Sequence, residues 1–147
     1  MSGWWRLRMA LNWLNLSTPL GLAVARAAGC RLARAPEGLW LAQDYSWGYP
    51  PSGAFTLGSV ILSRPGLDLS ADPVLLGHEA THSWQYAFCL GLPFLPLYGL
   101  CAAWSQVRTG SPALANPFER GAGLEAGGYI GPQTAGHPGR DHHTAHE

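Results

Sequence analysis

The sequence predicts an α+β fold that is mostly helical, with a small β-sheet or hairpin packed against one long helix. Three observations support this class. Helix-start signals recur along the chain, one long run of helical length contains no internal proline, and β-branched and aromatic residues are concentrated between them. The 147 residues are enough to close one hydrophobic core, so we expect a single domain over 1–147.

Composition excludes some classes of function. The chain is 47% hydrophobic and only 12% charged, and its nine basic and nine acidic residues cancel, so nothing favours nucleic-acid binding. Three cysteines without a C-x-x-C pair argue against a disulfide framework and against a cysteine-based zinc knuckle. They are typical of buried thiols in a reducing compartment, so we expect a cytoplasmic protein, with membrane association as the alternative.

The N-terminal region, 1–33, predicts two short helices. The first begins after Ser2, and the second has Ser17 or Thr18 as its cap, Pro19 in its first turn and an end near Gly29. Asparagine and proline interrupt the apolar stretch, which a secretory signal would not show. The tryptophan-rich start of the chain would also suit a membrane surface, although core packing is the more common fate of such residues.

The core, 38–129, begins with two predicted strands. Gly38–Ser46 alternates loosely and carries aromatics, and the turn residues GYPPSG follow it. Ala54–Arg64 is rich in β-branched and aromatic residues and ends at a Pro-Gly pair, so it is predicted as one continuous strand. We expect its stretch from Thr56 to Ser63 to be an edge along which an extended peptide adds.

The long helix starts at Ser70-Ala-Asp72-Pro73. The Asp72 side chain can accept from the free amides of the first turn, and Pro73 is tolerated there because its missing N–H would have no partner. The run VLLGHEATHSWQYAFCL then contains no proline, and Gly91 and Pro93 end it.

This helix carries the motif H-E-x-x-H. His78 and His82 are four residues apart, so their side chains share a face about 5–6 Å apart and can both bind one zinc ion. Glu79 is rotated by about 100°, beside the ion but not in place of a ligand, where its carboxylate can take a proton from water. The alternative is a metal-free helix whose two histidines are held by hydrogen bonds.

A catalytic zinc site needs a third protein ligand and leaves the fourth position to water. The downstream acidic residues are the candidates: Glu119, Glu125, Asp141 and Glu147. We favour Glu119, because Asn116-Pro117 marks a helix start that places it in a first turn, and we keep Glu125 as the alternative.

Between the motif and Glu119 the chain has an uncharged segment, Ala87–Gln106. Its length approaches that of a membrane span, but glycines and prolines break it repeatedly, so a buried hairpin or second helix covering the zinc helix is favoured. The alternative is contact with a membrane surface through 86–104. Tyr98 and Trp104 are interpreted as core or interface aromatics, and a Tyr98 facing the ion could donate to an oxyanion.

The tail, 132–147, is predicted to be a polar, disordered C-terminus. It contains four of the six histidines: His137, His142, His143 and His146. A second metal site or a donor of the third ligand is the less favoured interpretation.

Three segments together resemble a known family. AFTLGSVILSRPGL, LLGHEATHSWQ and NPFERGA are similar to the compact HExxH zincin domains of bacterial proteins associated with extracellular contractile injection systems, and to small actinobacterial-type proteins of unassigned activity. The similarity spans Ala54 to Tyr129. It implies a minimal zincin-like domain, a Zn²⁺ cofactor and a zinc-dependent metallopeptidase that acts on a peptide or protein substrate.

The resemblance also assigns roles. It implies His78, His82 and Glu119 as ligands and Glu79 as the general base, and it matches Gln85 to a family glutamine that we interpret, like Tyr98, as structural or ligand-supporting.

The chain departs from the family where E-R-E-A-D is usual. It has Glu119-Arg120-Gly121-Ala122-Gly123, without the two accessory acids. A carboxylate that would orient a ligand histidine is therefore missing, which bears on turnover more than on metal binding. The second hypothesis is a zinc-stabilised but catalytically inactive domain that binds a partner protein or a membrane surface.

Overall fold

The computed structural model describes residues 3–130 and confirms the α+β class, with five helices around a small four-stranded sheet. The elements are α1 Trp4–Leu14, α2 Ser17–Ala27, β1 Arg31–Arg34, β2 Trp40–Gln43, β3 Ala54–Leu57, β4 Val60–Ser63, α3 Pro73–Phe88, α4 Phe94–Thr109 and α5 Pro117–Ala122. Short 3₁₀ turns at Pro36–Gly38 and Leu69–Ala71 precede β2 and α3. The predicted disordered tail lies outside the described residues.

The two predicted N-terminal helices are present as α1 and α2, but the predicted capping is wrong. Ser17 and Thr18 are fully buried, and neither side chain caps the helix. The Asn15 side chain instead accepts from the Ser17 amide at 3.1 Å, and Thr18 Oγ1 accepts from the Ser59 amide at 3.0 Å. The Thr18 hydroxyl therefore ties α2 to the turn between β3 and β4, whereas the Ser17 hydroxyl contacts Asn12 and Asn15.

The predicted continuous strand Ala54–Arg64 is a hairpin of β3 and β4. Its turn contains Gly58 at φ +64°, and a Cβ there would lie 2.4 Å from the Thr18 amide nitrogen, so only glycine fits against α2. β1 was not predicted, and the Gly38–Ser46 strand is confirmed only over β2. The order is β1-β2-β4-β3, with β2 and β4 parallel and the other pairs antiparallel, so β4 is internal and β3 is an edge.

The sheet separates two apolar clusters. Val60 and Leu62 face a cluster that includes Tyr86 of α3 and Phe94 of α4, whereas Ile61 faces a smaller cluster beneath the start of α3. The alternation follows from the two-residue period of a strand. Both faces of β4 are therefore buried, and α3 lies across the hairpin.

The start of α3 is confirmed as predicted. Asp72 caps it by accepting from the Leu75 amide at 3.0 Å, and Pro73 occupies its first turn. Further along, Asn12 of α1 donates from Nδ2 to the Ser83 carbonyl oxygen at 2.9 Å and lies 3.1 Å from the Ser83 hydroxyl. This buried network fixes α3 against α1.

The uncharged segment forms a second helix, α4, but the prediction that it is buried is wrong. Among its sixteen residues only Phe94 and Ser105 are buried, while Leu100, Trp104 and Val107 are more than half exposed. Within residues 3–130, every helix is too short or too polar to cross a bilayer.

Candidate metal centre

The centre is built by α3 and α5. The helical spacing of His78 and His82 puts both imidazoles on the face of α3 that looks toward α5. Asn116 accepts from the Phe118 amide at 3.0 Å and so starts α5, which places Glu119 in its first turn. All three side chains are buried, with relative exposures of 3%, 7% and 2%.

Three ligand atoms meet at this point. The two histidine Nε2 atoms are 3.2 Å apart, and Glu119 Oε2 lies 3.1 Å from His78 Nε2 and 3.4 Å from His82 Nε2. Donor atoms held roughly 2.0–2.1 Å from one tetrahedral ion lie about 3.3–3.4 Å from each other. The triangle therefore has the dimensions of three corners of a tetrahedral metal site.

The outer nitrogens of both rings are held by acceptors. His78 Nδ1 is 2.9 Å from the carbonyl oxygen of Gly123, and His82 Nδ1 is 2.8 Å from Gln85 Oε1. Gln85 is fixed in turn because its Nε2 donates to the Phe118 carbonyl oxygen at 2.8 Å. A carbonyl oxygen only accepts, so each Nδ1 carries the hydrogen and each Nε2 presents its lone pair to the centre.

Glu119 completes the set. Its Oε1 accepts from the Tyr98 hydroxyl, whereas its buried Oε2 has no hydrogen-bond donor. Burial raises the pKa of Tyr98, as does the bond to Glu119, so the phenol keeps its proton and remains a donor. Three acceptor atoms thus converge on one buried point, which a metal ion or a proton can satisfy.

Protons compete with a metal for this point. Burial alone would raise the pKa of Glu119, but its contacts with His78 and His82 hold that pKa below the usual range. Burial lowers the pKa of His82, but Glu119, together with smaller contributions from Glu79 and Gln85, more than reverses this and raises it. The buried group of His78, His82 and Glu119 can hold a metal ion, and the same atoms form ion pairs when a histidine is protonated.

Glu79 lies beside the centre, outside the ligand triangle. It is buried, and burial raises the pKa of its carboxyl group. Thr56 Oγ1 of β3 lies 2.7 Å from Glu79 Oε2 and 3.1 Å from its backbone oxygen, so the edge strand holds this carboxylate. The sequence predicts Thr56 only as the start of the edge and predicts no role for it beside Glu79.

The centre opens into a cavity of about 1110 Å³. One wall is β3 and the residues before it, where every residue over 52–57 lines the cavity, so the open edge of the strand faces it. A second wall is the inner side of α4, and Tyr129 closes part of the mouth near His78. A ligand in this cavity would therefore lie along β3 and against the centre.

The sequence candidates divide into two groups. His78, Glu79, His82, Gln85, Tyr98 and Glu119 are brought together, whereas Glu125 is exposed and lies outside the cluster. Asp141, Glu147 and the four tail histidines lie outside the described residues.

Sequence reasoning missed the backbone that covers the centre. Gly123 supplies the carbonyl oxygen that holds His78, and a Cβ at Gly127 would lie 2.5 Å from His78 Cε1. Glycine at position 127 lets the chain pass over the imidazole at van der Waals distance. The glycine-rich run GAGLEAGGY is the only signal that could have pointed to this close approach.

Comparison with known proteins returns no match: no protein-family model, no curated protein and no solved structure matches this chain.

Proposed function

We propose that this protein is a zinc-dependent metallopeptidase of the HExxH type. The observation that carries the proposal is the convergence of two imidazole lone pairs and one carboxylate oxygen on a buried point beside Glu79. The resemblance of the three sequence segments to compact zincin domains supports the same conclusion.

The donor set favours zinc. Two imidazole nitrogens and one carboxylate oxygen form the His₂Glu set typical of catalytic zinc, in which a fourth position stays open. The distances between the donor atoms, 3.1–3.4 Å, suit a tetrahedral ion of this size. The hydrogen bonds to Gly123 and Gln85 orient the rings in the manner usual for zinc-bound histidines.

The chemistry follows from the residues around the ion. When bound, zinc activates water and polarises a carbonyl oxygen. Glu79 accepts a proton as water attacks the peptide carbonyl, and it passes that proton to the nitrogen of the leaving amine as the C–N bond breaks. Thr56 holds the Glu79 carboxylate in place, and its hydroxyl donates from the strand that lines the cavity.

The substrate is expected to bind along β3. The Arg64 amide donates to the Gly53 carbonyl oxygen at 2.9 Å, so Gly53 and Arg64 form a hydrogen-bonded pair. In an antiparallel ladder such pairs alternate, so the backbone groups of Ala54 and Thr56 point away from β4, toward the open edge. An extended peptide can add there. The edge proposed from sequence, Thr56 to Ser63, is thereby limited to β3, because β4 is internal.

A specific observation favours a second candidate, the inactive zinc-stabilised domain that binds a partner protein or membrane surface. The outer face of α4 exposes Leu100 by 71% and Val107 by 82%. Gly121 and Gly123 also stand where the family usually has accessory acids. In this case the ion would hold α5 against α3 without turnover.

Metal analysis tests the proposal first. Untagged protein is compared by plasma mass spectrometry with His78→Ala and Glu119→Ala, and Glu125→Ala is the matched control. We expect about one zinc per chain in the wild type and in Glu125→Ala, and none in the other two. A metal-free wild type, or zinc that survives in Glu119→Ala, would contradict the proposed site.

Peptide cleavage separates the two candidates. Zinc-loaded wild type and Glu79→Gln are incubated with a mixed peptide library, and new termini are read by mass spectrometry. The peptidase predicts cleavage that disappears in Glu79→Gln while zinc is retained, whereas the inactive domain predicts no new termini in either sample.

A further inference from the structure

The cavity beside the centre carries information about the substrate, and the inference drawn from it rests on the proposed function. We infer that the site accepts substrates whose side chains next to the scissile bond are large, apolar and uncharged, and that it discriminates against charged side chains. Two parts of the cavity wall set this preference. One is the side of α4 that faces the cavity, and the other is the loop over 47–53 before β3, which contains Trp47 and Tyr49.

The cavity wall is dominated by aromatic and aliphatic side chains. Its aromatic members include Trp47, Tyr49 and Phe55 near β3 and Phe94 and Tyr98 on α4. Among the described residues of the lining, the only carboxylates and imidazoles are those of the centre, and no arginine belongs to it. Away from the centre, no charged group that residues 3–130 contribute to this wall would pair with an acidic or basic side chain.

A charged substrate side chain is disfavoured because the described cavity wall away from the centre offers it no ion-pair partner. A charged side chain that enters an apolar cavity loses its hydration without gaining an ion pair, which is strongly unfavourable. An aromatic or aliphatic side chain gains from the same transfer in proportion to the apolar area it buries. The lining therefore discriminates against charged substrate side chains more strongly than it distinguishes apolar side chains of different shape.

The size of the cavity indicates more than one apolar group. About 1110 Å³ exceeds the roughly 300–1,000 Å³ usual for small-molecule sites. The cavity reaches from Tyr49 and Phe55, at the β3 end, to Leu95 and Ala102 on α4. A peptide lying along β3 could thus place apolar side chains on both sides of the bond to be cleaved.

The α4 wall offers a matched pair of test positions. Ala102 lines the cavity, and its neighbour Ala103 is exposed and is not part of the lining. Ala102→Phe should fill part of the cavity, whereas Ala103→Phe adds the same ring to solvent. Leu95 also lines the cavity and is 40% exposed, so a long charged side chain can be introduced there without being buried in the core.

Small hydroxamates are suitable probes because they bind zinc themselves and differ only in their substituents. Zinc-loaded full-length protein is titrated calorimetrically with acetohydroxamate, phenylacetohydroxamate, succinic monohydroxamate and glycine hydroxamate. We expect phenylacetohydroxamate to bind about 10- to 100-fold more tightly than acetohydroxamate. The acidic and the basic probe should gain nothing over acetohydroxamate.

The variants provide the controls. Ala102→Phe should reduce the preference for phenylacetohydroxamate over acetohydroxamate by at least about 10-fold, and Ala103→Phe should leave this preference unchanged. Leu95→Arg, which does not depend on filling the cavity, should raise the affinity for succinic monohydroxamate by about 10-fold. Charged probes that bind as tightly as phenylacetohydroxamate would overturn the inference. So would an Ala102→Phe variant that folds, holds zinc and keeps the full preference for phenylacetohydroxamate.

Failure of the proposed function has a different signature. A chain that holds no zinc and does not bind acetohydroxamate contradicts the metallopeptidase proposal, and the substrate inference falls with it. Acetohydroxamate binding without a preference for the aromatic probe overturns the inference alone.

Discussion

Helices α3 and α4 both have sixteen residues, but they differ in which kinds of side chain they bury and expose. α3 buries polar side chains, including His78, Glu79 and Ser83, whereas α4 exposes apolar ones such as Leu100 and Val107. The buried polar groups of α3 have partners on α1, α5 and β3. Burial in this molecule therefore depends on hydrogen-bond partners and on the candidate centre as well as on hydrophobicity.

The two helices are also held differently. Hydrogen bonds and packing from α1, β3 and α5 surround α3, while α4 is anchored mainly by two aromatic side chains that contact Phe118 of α5. Phe94 and Phe118 have ring centroids 5.0 Å apart, and Tyr98 stacks on the same ring at 6.3 Å. The first turns of α4 therefore supply both its aromatic contacts and its cavity-lining residues, while further along the buried Ser105 is hydrogen-bonded to Ser111 and Ala115.

The largest expected effect is loss of the α4 anchor. Phe94 is 3% exposed and also contacts Tyr86, so Phe94→Ala should lower the free energy of unfolding by about 3–5 kcal/mol. Leu100→Ala, on the same helix but 71% exposed, should change it by no more than about 0.5 kcal/mol. Urea unfolding followed by circular dichroism measures both. Similar losses in the two variants would mean that the outer face of α4 is buried in solution.

The gain in the free energy of unfolding on zinc binding should be the next largest effect. It should depend on the zinc ligands of α3 and α5 and not on the exposed face of α4. Free zinc at about 100 times its dissociation constant should stabilise the folded protein by about 2.7 kcal/mol, since the ligands converge only in the folded chain. His78→Ala and Glu119→Ala should lose this gain, and Trp104→Ala, on exposed α4, should keep it. The measurement is unfolding in urea with added zinc and with chelator. A gain that persists in Glu119→Ala would contradict the three-ligand site.

The sequence could predict those features whose residues all lie within one element of secondary structure. Asp72-Pro73 and the four-residue spacing of His78 and His82 are contained in one helix, so both could be predicted without knowledge of the fold. Glu119 could be chosen only because Asn116 gave it a helix start of its own.

The remaining features depend on contacts that are distant in sequence. The break at Gly58 follows from the approach of Thr18 of α2, and the exposure of α4 follows from the absence of a layer beyond it within residues 3–130. Thr56 reaches Glu79 only because the hairpin lies under α3. No window of the sequence contains these contacts, so propensity and periodicity could not predict them.

A smaller effect should come from the support of a ligand. Gln85→Leu removes the acceptor of His82 Nδ1 and the donor to the Phe118 carbonyl oxygen, so zinc affinity should fall about 10- to 100-fold. Gln106→Leu makes the same exchange on exposed α4 and should leave the affinity unchanged. Competition with a chromogenic chelator reports both dissociation constants. Equal affinities in the two variants would show that Gln85 does not orient the ligand.

The smallest expected effect comes from replacing one exposed glycine in each helix with alanine. Gly77 of α3 and Gly99 of α4 are both exposed, and a Cβ at either position meets no atom within 4 Å. Alanine in a helix interior is favoured over glycine by about 0.8–1.0 kcal/mol, so Gly77→Ala should raise the melting temperature by roughly 2–4 °C. Gly99→Ala should raise it less if α4, whose outer face is exposed, opens locally before the rest of the chain unfolds, because stabilising a helix that is already open contributes little to global unfolding.

Calorimetry and hydrogen exchange together decide this point. If α4 opens on its own, Gly99→Ala increases amide protection within α4 while the melting temperature changes by less than in Gly77→Ala. Equal shifts in melting temperature would show that α4 unfolds together with α3. The wall that we infer to select apolar substrates would then be as rigid as the helix that carries the histidines, and selection would rest on a preformed cavity without any adjustment of α4.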